Sequence, residues 1–343
     1  MKINIKINFN MMIFFLLMIL SIIVCLTSNS LIYIWICLEI NLMSFIPLIL
    51  NLNKNFNDST IKYFIIQSLS SSLFLYFIMF MFIKDSNMFI LMIIMSLIMK
   101  IGIFPFFIWY LNIINNISWF NNFLFMVIQK ILPLFTIYII NLNFANSMNL
   151  NLLKLFFFFI IILNSIMSVS MIFKVNSMKI IMGISSLNHM SWLLMIIMFD
   201  MKIFLFYYFI YMYLLLNLTF LFDYFKIYSL KNIYKMNNMF GKIFIVTFVF
   251  TLMGVPPFIG FFLKSFSTKV LMMEYNYFIM YTLLMSSTIM FYYYMKLLLP
   301  IIINKIDNLK NNIFLKEKNF FMIMLFLNMK MMFLSIILYW LMT

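Results

Sequence analysis

The chain reads as an all-α polytopic membrane protein of about eleven transmembrane helices, two of them broken. Three observations predict this class. The sequence is 66% hydrophobic and 9% charged, with a mean hydropathy of +1.12, which leaves too little polar surface to clothe a water-soluble body of 343 residues. Apolar runs close to the roughly 20 residues needed to cross hydrocarbon recur from end to end. Runs such as "LFFFFIIIL" at 155–163 do not alternate in polarity as the short segments of a membrane barrel must.

The spans fall at 11–28, 30–50, 60–83, 88–110, 117–141, 150–172, 177–199, 203–225, 243–270, 274–299 and 319–342, with Asn- and Lys-rich connectors at 51–59, 226–242 and 301–318. No shift in composition marks a soluble domain, so residues 1–343 are expected to form a single transmembrane bundle. The first span follows Lys2 and Lys6 as a signal peptide would, yet no small-residue cleavage site follows it. It is therefore expected to be a retained span. The lysines check the count. If the spans alternate in direction, the side of the N-terminus gathers fourteen lysines from Lys2 to Lys318, and the opposite side only Lys84, Lys154, Lys202 and Lys269. Basic loops stay on the side of synthesis, so the N-terminus is expected there and the C-terminus opposite. Most of the +15 net charge is then a surface facing water and lipid headgroups, not a nucleic-acid site.

Composition also points to the genome. All 23 basic residues are Lys, Ala145 is the only alanine, and there are 37 methionines. Codons rich in A and T, and a code in which ATA also reads as Met, account for this bias, as in an animal mitochondrial gene. Cys25 and Cys37 form no C-x-x-C motif, His189 is the only histidine, and five scattered glycines make neither a dinucleotide loop nor a P-loop. No redox cofactor and no metal is expected in this chain, and the cysteines are expected to be packing residues.

Removing the loops leaves Glu39, Lys100, Lys130, Lys264, Lys296 and Lys330 inside apolar sequence. A charge at mid-membrane costs on the order of 2.5–3.5 kcal/mol and normally faces a partner or water. Lys296 and Lys330 are expected to snorkel from near helix ends; the other four have long apolar flanks on both sides. Proline accompanies the lysines: Lys100 precedes Gly102-Ile103-Phe104-Pro105, Lys130 precedes Pro133, and Lys264 follows Gly254-Val255-Pro256-Pro257. Proline removes a backbone donor and opens the helix, which membrane depth tolerates only beside protein or water. The two G-x-x-P sites are expected to split their spans into half-helices, as in transporters. The orphaned carbonyls of Leu252 and Met253 then need water or a neighbouring side chain. Lys264 is expected inside the bundle, sharing that pocket without sitting in the break. Glu39 and Lys100 are expected within ion-pair or one-water distance.

Gly102 and Gly254 are 152 residues apart, and the same offset carries Glu39 to within two residues of His189. The pattern predicts inverted repeats at about 11–141 and 150–299, with 319–342 an extra helix. His189, in "SSLNHMSW" (185–192), reads either as a neutral histidine hydrogen-bonded in the bundle or as a proton carrier.

Six motifs, "WICLEINLMSFIPLI" (35–49), "IKYFIIQSLSSS" (61–72), "MKIGIFPFFIWY" (99–110), "QKILP" (129–133), "SSLNHMSW" and "GVPPFIGFFLKSF" (254–266), together resemble the NADH dehydrogenase subunit 2 family. These are the mitochondrially encoded, antiporter-like subunits of respiratory complex I. The resemblance runs over about 35–266. It implies a subunit of the proton-pumping membrane arm, driven by quinone reduction elsewhere, with flavin, iron–sulfur clusters and quinone in other subunits. It places Glu39, Lys100, Lys130 and Lys264 on a polar axis at the bilayer midplane. The mechanism expected from these residues has Lys130 and His189 relay the proton to Lys264. The resemblance further implies the mitochondrial inner membrane, the N-terminus in the matrix and the C-terminus in the intermembrane space. The implied partners are other membrane-arm subunits, neighbouring antiporter-like ones included, and membrane lipids, cardiolipin among them. The chain departs from the family pattern at "VSMIFKVN" (169–176), where a Gly-rich turn is usual, and at Phe107, where histidine is frequent. The residues by themselves also fit a self-standing cation/proton antiporter or a purely structural arm subunit.

Overall fold

A computed structural model describes residues 9–28, 30–52, 58–83, 87–143, 150–234, 236, 239–256 and 258–303. The expected span 319–342, Lys330 and Pro257 lie outside the described residues. Helices follow the apolar runs because every backbone donor and acceptor in hydrocarbon needs a partner within its own segment. They are α1 (Phe9–Thr27), α2 (Leu31–Leu52), α3 (Asp58–Ile83), α4 (Asn87–Ile101), α5 (Phe107–Asn116), α6 (Trp119–Phe123), α7 (Gln129–Asn143) and α8 (Leu150–Ile172). There follow α9 (Met178–Ile197), α10 (Met201–Tyr224), α11 (Leu230–Tyr234), α12 (Met239–Met253), α13 (Ile259–Met273) and α14 (Tyr277–Ile303). Seven helical segments among the described residues are long and apolar enough to cross a membrane, and shorter apolar helices accompany them.

The chain divides into two compact units, Met1–Asn164 and Ser165–Thr343, with the division inside α8. In the first, α1 pairs with α2, α2 with α3, α3 with α4, and α7 packs against α4. In the second, α9 is buried along nearly its whole length, with α10, α13 and α14 around it and α12 against α10. Cys25 and Cys37 are buried and unbridged.

Both G-x-x-P sites interrupt a helix, and they do so in the same way. Gly102 (φ 74°) and Gly254 (φ 78°) adopt the left-handed conformation that closes many helix C-termini. Gly102 and Ile103 both donate to the carbonyl of Ile98, and Phe106 donates to Ile103. At the second site Gly254 and Val255 donate to Phe250, and Phe258 to Val255. Residue by residue the two patterns are 152 apart. Each 15-residue half, α4, α12 or α13, is about 22 Å long, short of a hydrocarbon core of about 30 Å. Only as a pair does either broken span have the length to cross.

One expectation is corrected here. The connector expected over 111–116 is helical, because α5 continues to Asn116 before Ile117 turns extended; its asparagines make the stretch look like a loop. Pro133 leaves its helix continuous: it lies inside α7, downstream of a π turn over Leu124–Ile128.

Candidate functional site

In the first unit, Lys100 ends α4 and is 6% exposed, while Lys130 opens α7 and is 2% exposed. Glu39 on α2 is half-buried and acts electrostatically on both Lys100 and Tyr63. Lys130 donates from Nζ to the Tyr110 hydroxyl at 2.9 Å, and the ammonium stands 4.1 Å from the centre of the same ring. Tyr110 is wedged between two features the sequence supplies. A Cβ on Gly102 would come within 2.8 Å of the Tyr110 Cβ, so glycine alone lets the first turn of α5 come this close to the break. On the other side the Tyr110 ring lies 5.1 Å from Phe125, which sits in the π turn and also meets Phe45, Tyr63 and Trp109.

Amides complete this half. Gln129 and Asn41 bind each other head to tail at 3.1 and 3.2 Å, and Tyr63 donates its hydroxyl to the Gln129 oxygen at 3.1 Å. The pair ties α2, α3 and α7 together one residue before Lys130. Gln67 of α3 donates to the carbonyl of Lys100 at 3.0 Å, meeting one acceptor that the break strips of its helical donor. Asn164 accepts the Phe104 N–H at 3.4 Å from inside the same break.

In the second unit His189, 8% exposed, shares a hydrogen bond of 2.9 Å between its Nδ1 and the Tyr207 hydroxyl of α10, with the Tyr211 ring 5.0 Å away. Asn188 beside it accepts from Ser286 of α14 at 3.1 Å. Lys264 lies near enough to His189 for their charges to interact. Its Nζ donates to the Met253 carbonyl at the end of α12. The ammonium therefore seats itself in the break and caps it, where the sequence led us to place it deeper along α13. The reason is close helix contact: Gly260, one turn before Lys264, has no side chain and rests against the Thr251 carbonyl.

Glu39, Lys100 and Lys130 thus gather in one unit, and His189 and Lys264 in the other. Lys296 is exposed on α14. Sequence reasoning assigned no role to Tyr110, Tyr207, Gln67, Gln129 or Asn41. Among the described residues no three His, Cys, Asp or Glu side chains cluster as a metal site would require.

The family model described as "NADH:quinone oxidoreductase/Mrp antiporter, TM" matches residues 28–87 and 83–291. A protein of Anopheles gambiae named NADH-ubiquinone oxidoreductase chain 2 is 32% identical over 260 residues, 73% of this chain and 73% of its own. The chain belongs to the NADH-ubiquinone oxidoreductase chain 2 family. Solved structures share the fold of this family at lower identity. A chain of respiratory complex I from Thermus thermophilus superposes with a TM-score of 0.71 at 14% identity, over 88% of this chain and 72% of that one. A chain of the membrane-bound sulfane sulfur reductase, an archaeal respiratory membrane complex, does so with a TM-score of 0.81 at 13% identity, over 95% and 73%.

Proposed function

We propose that this chain is a proton-translocating membrane-arm subunit of NADH:ubiquinone oxidoreductase, and that Glu39, Lys100, Lys130, His189 and Lys264 carry the proton. The observation behind this reading is the company the buried charges keep. In a family of antiporter-like subunits, each broken span has a lysine at its break, Lys100 beside Gly102 and Lys264 on the Met253 carbonyl.

Electron transfer belongs to other subunits, where flavin, iron–sulfur clusters and quinone reside, and this subunit performs no redox chemistry itself. Its partners are the other membrane-arm subunits and the lipids of the inner mitochondrial membrane, which it crosses several times. On our reading its N-terminus faces the matrix. Burial disfavours the charged form of an amine, and a nearby carboxylate favours it. Moving Glu39 toward or away from Lys100 therefore changes how readily that lysine releases its proton. Lys130 takes up the next position in the first unit, and His189 and Lys264 hand the proton on in the second. Lys264→Met keeps side-chain length and removes the charge. In the assembled complex it should reduce proton pumping, and NADH oxidation with it where coupling is tight. A Lys264→Met complex that assembles and pumps at the original stoichiometry refutes the role.

A further inference from the structure

We infer that Tyr110 and Tyr207 are positioning residues for proton transfer, each holding a buried base, Lys130 or His189, in both of that base's protonation states. The inference rests on the proton-carrying reading of those two bases. Each base has a phenol hydroxyl 2.9 Å from its nitrogen. Lys130, Tyr110 and Tyr207 are almost fully enclosed, and His189 nearly so.

The chemistry of the hydroxyl matters here. An ammonium has three donors and no acceptor, but once it loses a proton it carries a lone pair that needs a donor. Imidazole changes likewise, from two donors when charged to one donor and one acceptor when neutral. A carbonyl can only accept, so it leaves the new lone pair unpaired. A phenol does both, accepting from the charged base and, after rotation about its C–O bond, donating to the neutral one. Neither heavy atom has to move. A base that must gain and lose a proton at each turnover then finds a partner in both states, and the nitrogen stays aligned for the next transfer.

The surroundings hold these phenols still. Tyr110 is pinned by its close approach to Gly102 and by the Phe125 ring, and Lys130 also faces the ring of the same tyrosine. Tyr207 lies fully inside the unit on α10, which packs along the buried α9. Lys264 makes the contrast, since the partner of its Nζ is a carbonyl.

Tyr110→Phe and Tyr207→Phe remove only the hydroxyl and keep the ring. They are to be compared, in the assembled and reconstituted complex, with Lys130→Met and His189→Gln. Each Phe variant should assemble with the modest drop in thermal midpoint that losing one buried hydrogen bond brings, pump about tenfold more slowly, and show a larger H2O/D2O isotope effect on coupled turnover as proton transfer becomes limiting. A purely structural hydroxyl would lower stability and leave the isotope effect where it was, and that result overturns the inference. So does full pumping by both Phe variants while Lys130→Met or His189→Gln has lost it. If the base variants pump normally, the proton-carrying reading itself fails. Should one Phe variant not assemble, the other decides; failure of both to assemble marks the hydroxyls as structural and also overturns the inference.

Discussion

Replacing Gly260 by alanine tests whether the seat of Lys264 depends on how closely α12 and α13 approach. A Cβ on Gly260 would stand 1.7 Å from the carbonyl oxygen of Thr251 and 2.9 Å from its carbon. The obstacle is main chain and cannot rotate aside, so the two half-helices must part by about 1.3 Å before even the tightest acceptable contact is restored. Overpacking of this kind costs about 1–3 kcal/mol, and with backbone on one side the upper end applies. The same displacement lifts the Lys264 ammonium from the Met253 carbonyl one turn away, and a misplacement of about 1 Å can cost on the order of 100-fold in a positioned reaction. The assay is NADH-driven proton uptake by vesicles containing the purified complex, with its thermal inactivation midpoint measured in parallel. Gly260→Ala should lower both. Gly241→Ala is the control: its Cβ would meet the tip of the Phe225 ring at 2.5 Å, a side chain that can swing away, so its effect should be smaller. A Gly260→Ala complex with the original midpoint and full pumping would show that the helices part freely and that the lysine's seat does not depend on their contact.

Gln67→Leu removes the amide that donates to the Lys100 carbonyl in the first break and should destabilise the complex by about 1–3 kcal/mol, read as a lower thermal midpoint; no change would mean that another group takes over the cap. Gln129→Leu strips both amide bonds from Asn41, which is 2% exposed, and the acceptor from Tyr63; a loss of about 1–3 kcal/mol is expected, and replacing Asn41 and Gln129 together should cost less than the two single changes combined. Gly254→Ala forces an L side chain into φ 78° at about 1–2 kcal/mol and brings a Cβ to 3.0 Å from the Lys264 Cδ, so stability and pumping should fall together; a fall in stability with pumping intact would separate the break from the lysine.

The spans and the breaks were legible because each rests on a local rule. Hydropathy locates a helix that must satisfy its own backbone, and G-x-x-P states where that helix cannot continue. The stretch 111–116 departs from its local signal for a related reason: asparagine argues for a loop by propensity, yet α5 runs on to Asn116. What escaped is non-local. Nothing marks Tyr110 among nineteen tyrosines, since its place beside Lys130 depends on how a left-handed glycine seats the start of α5. Gln129 meets Asn41 across 88 positions, and Gln67 reaches the Lys100 carbonyl across 33. A short-range pattern carries no record of either pairing. The π turn before Lys130 is also silent, because "LFMVI" is equally at home in an α-helix. Lys264 was found by its cost in hydrocarbon, yet its exact seat depends on how far its stem can bend back toward α12.

The two breaks share a backbone and differ in what caps them, and that difference bears on mechanism. Both use a left-handed glycine and the same three backbone bonds. At the first, a neutral amide from α3 meets a carbonyl at the end of α4, so that cap holds whether or not Lys100 carries a proton. At the second, Lys264 itself meets the carbonyl at the end of α12, so the cap is tied to a group that titrates. A helix C-terminus carries partial negative charge, and an ammonium there is stabilised in a way a neutral amine is not. Loss of the proton from Lys264 weakens the link between α12 and α13, whereas loss of the proton from Lys100 leaves the Gln67 cap in place. Protonation and helix geometry are therefore coupled directly at the second break. At the first break the charge that reaches Lys100 is that of Glu39, from α2.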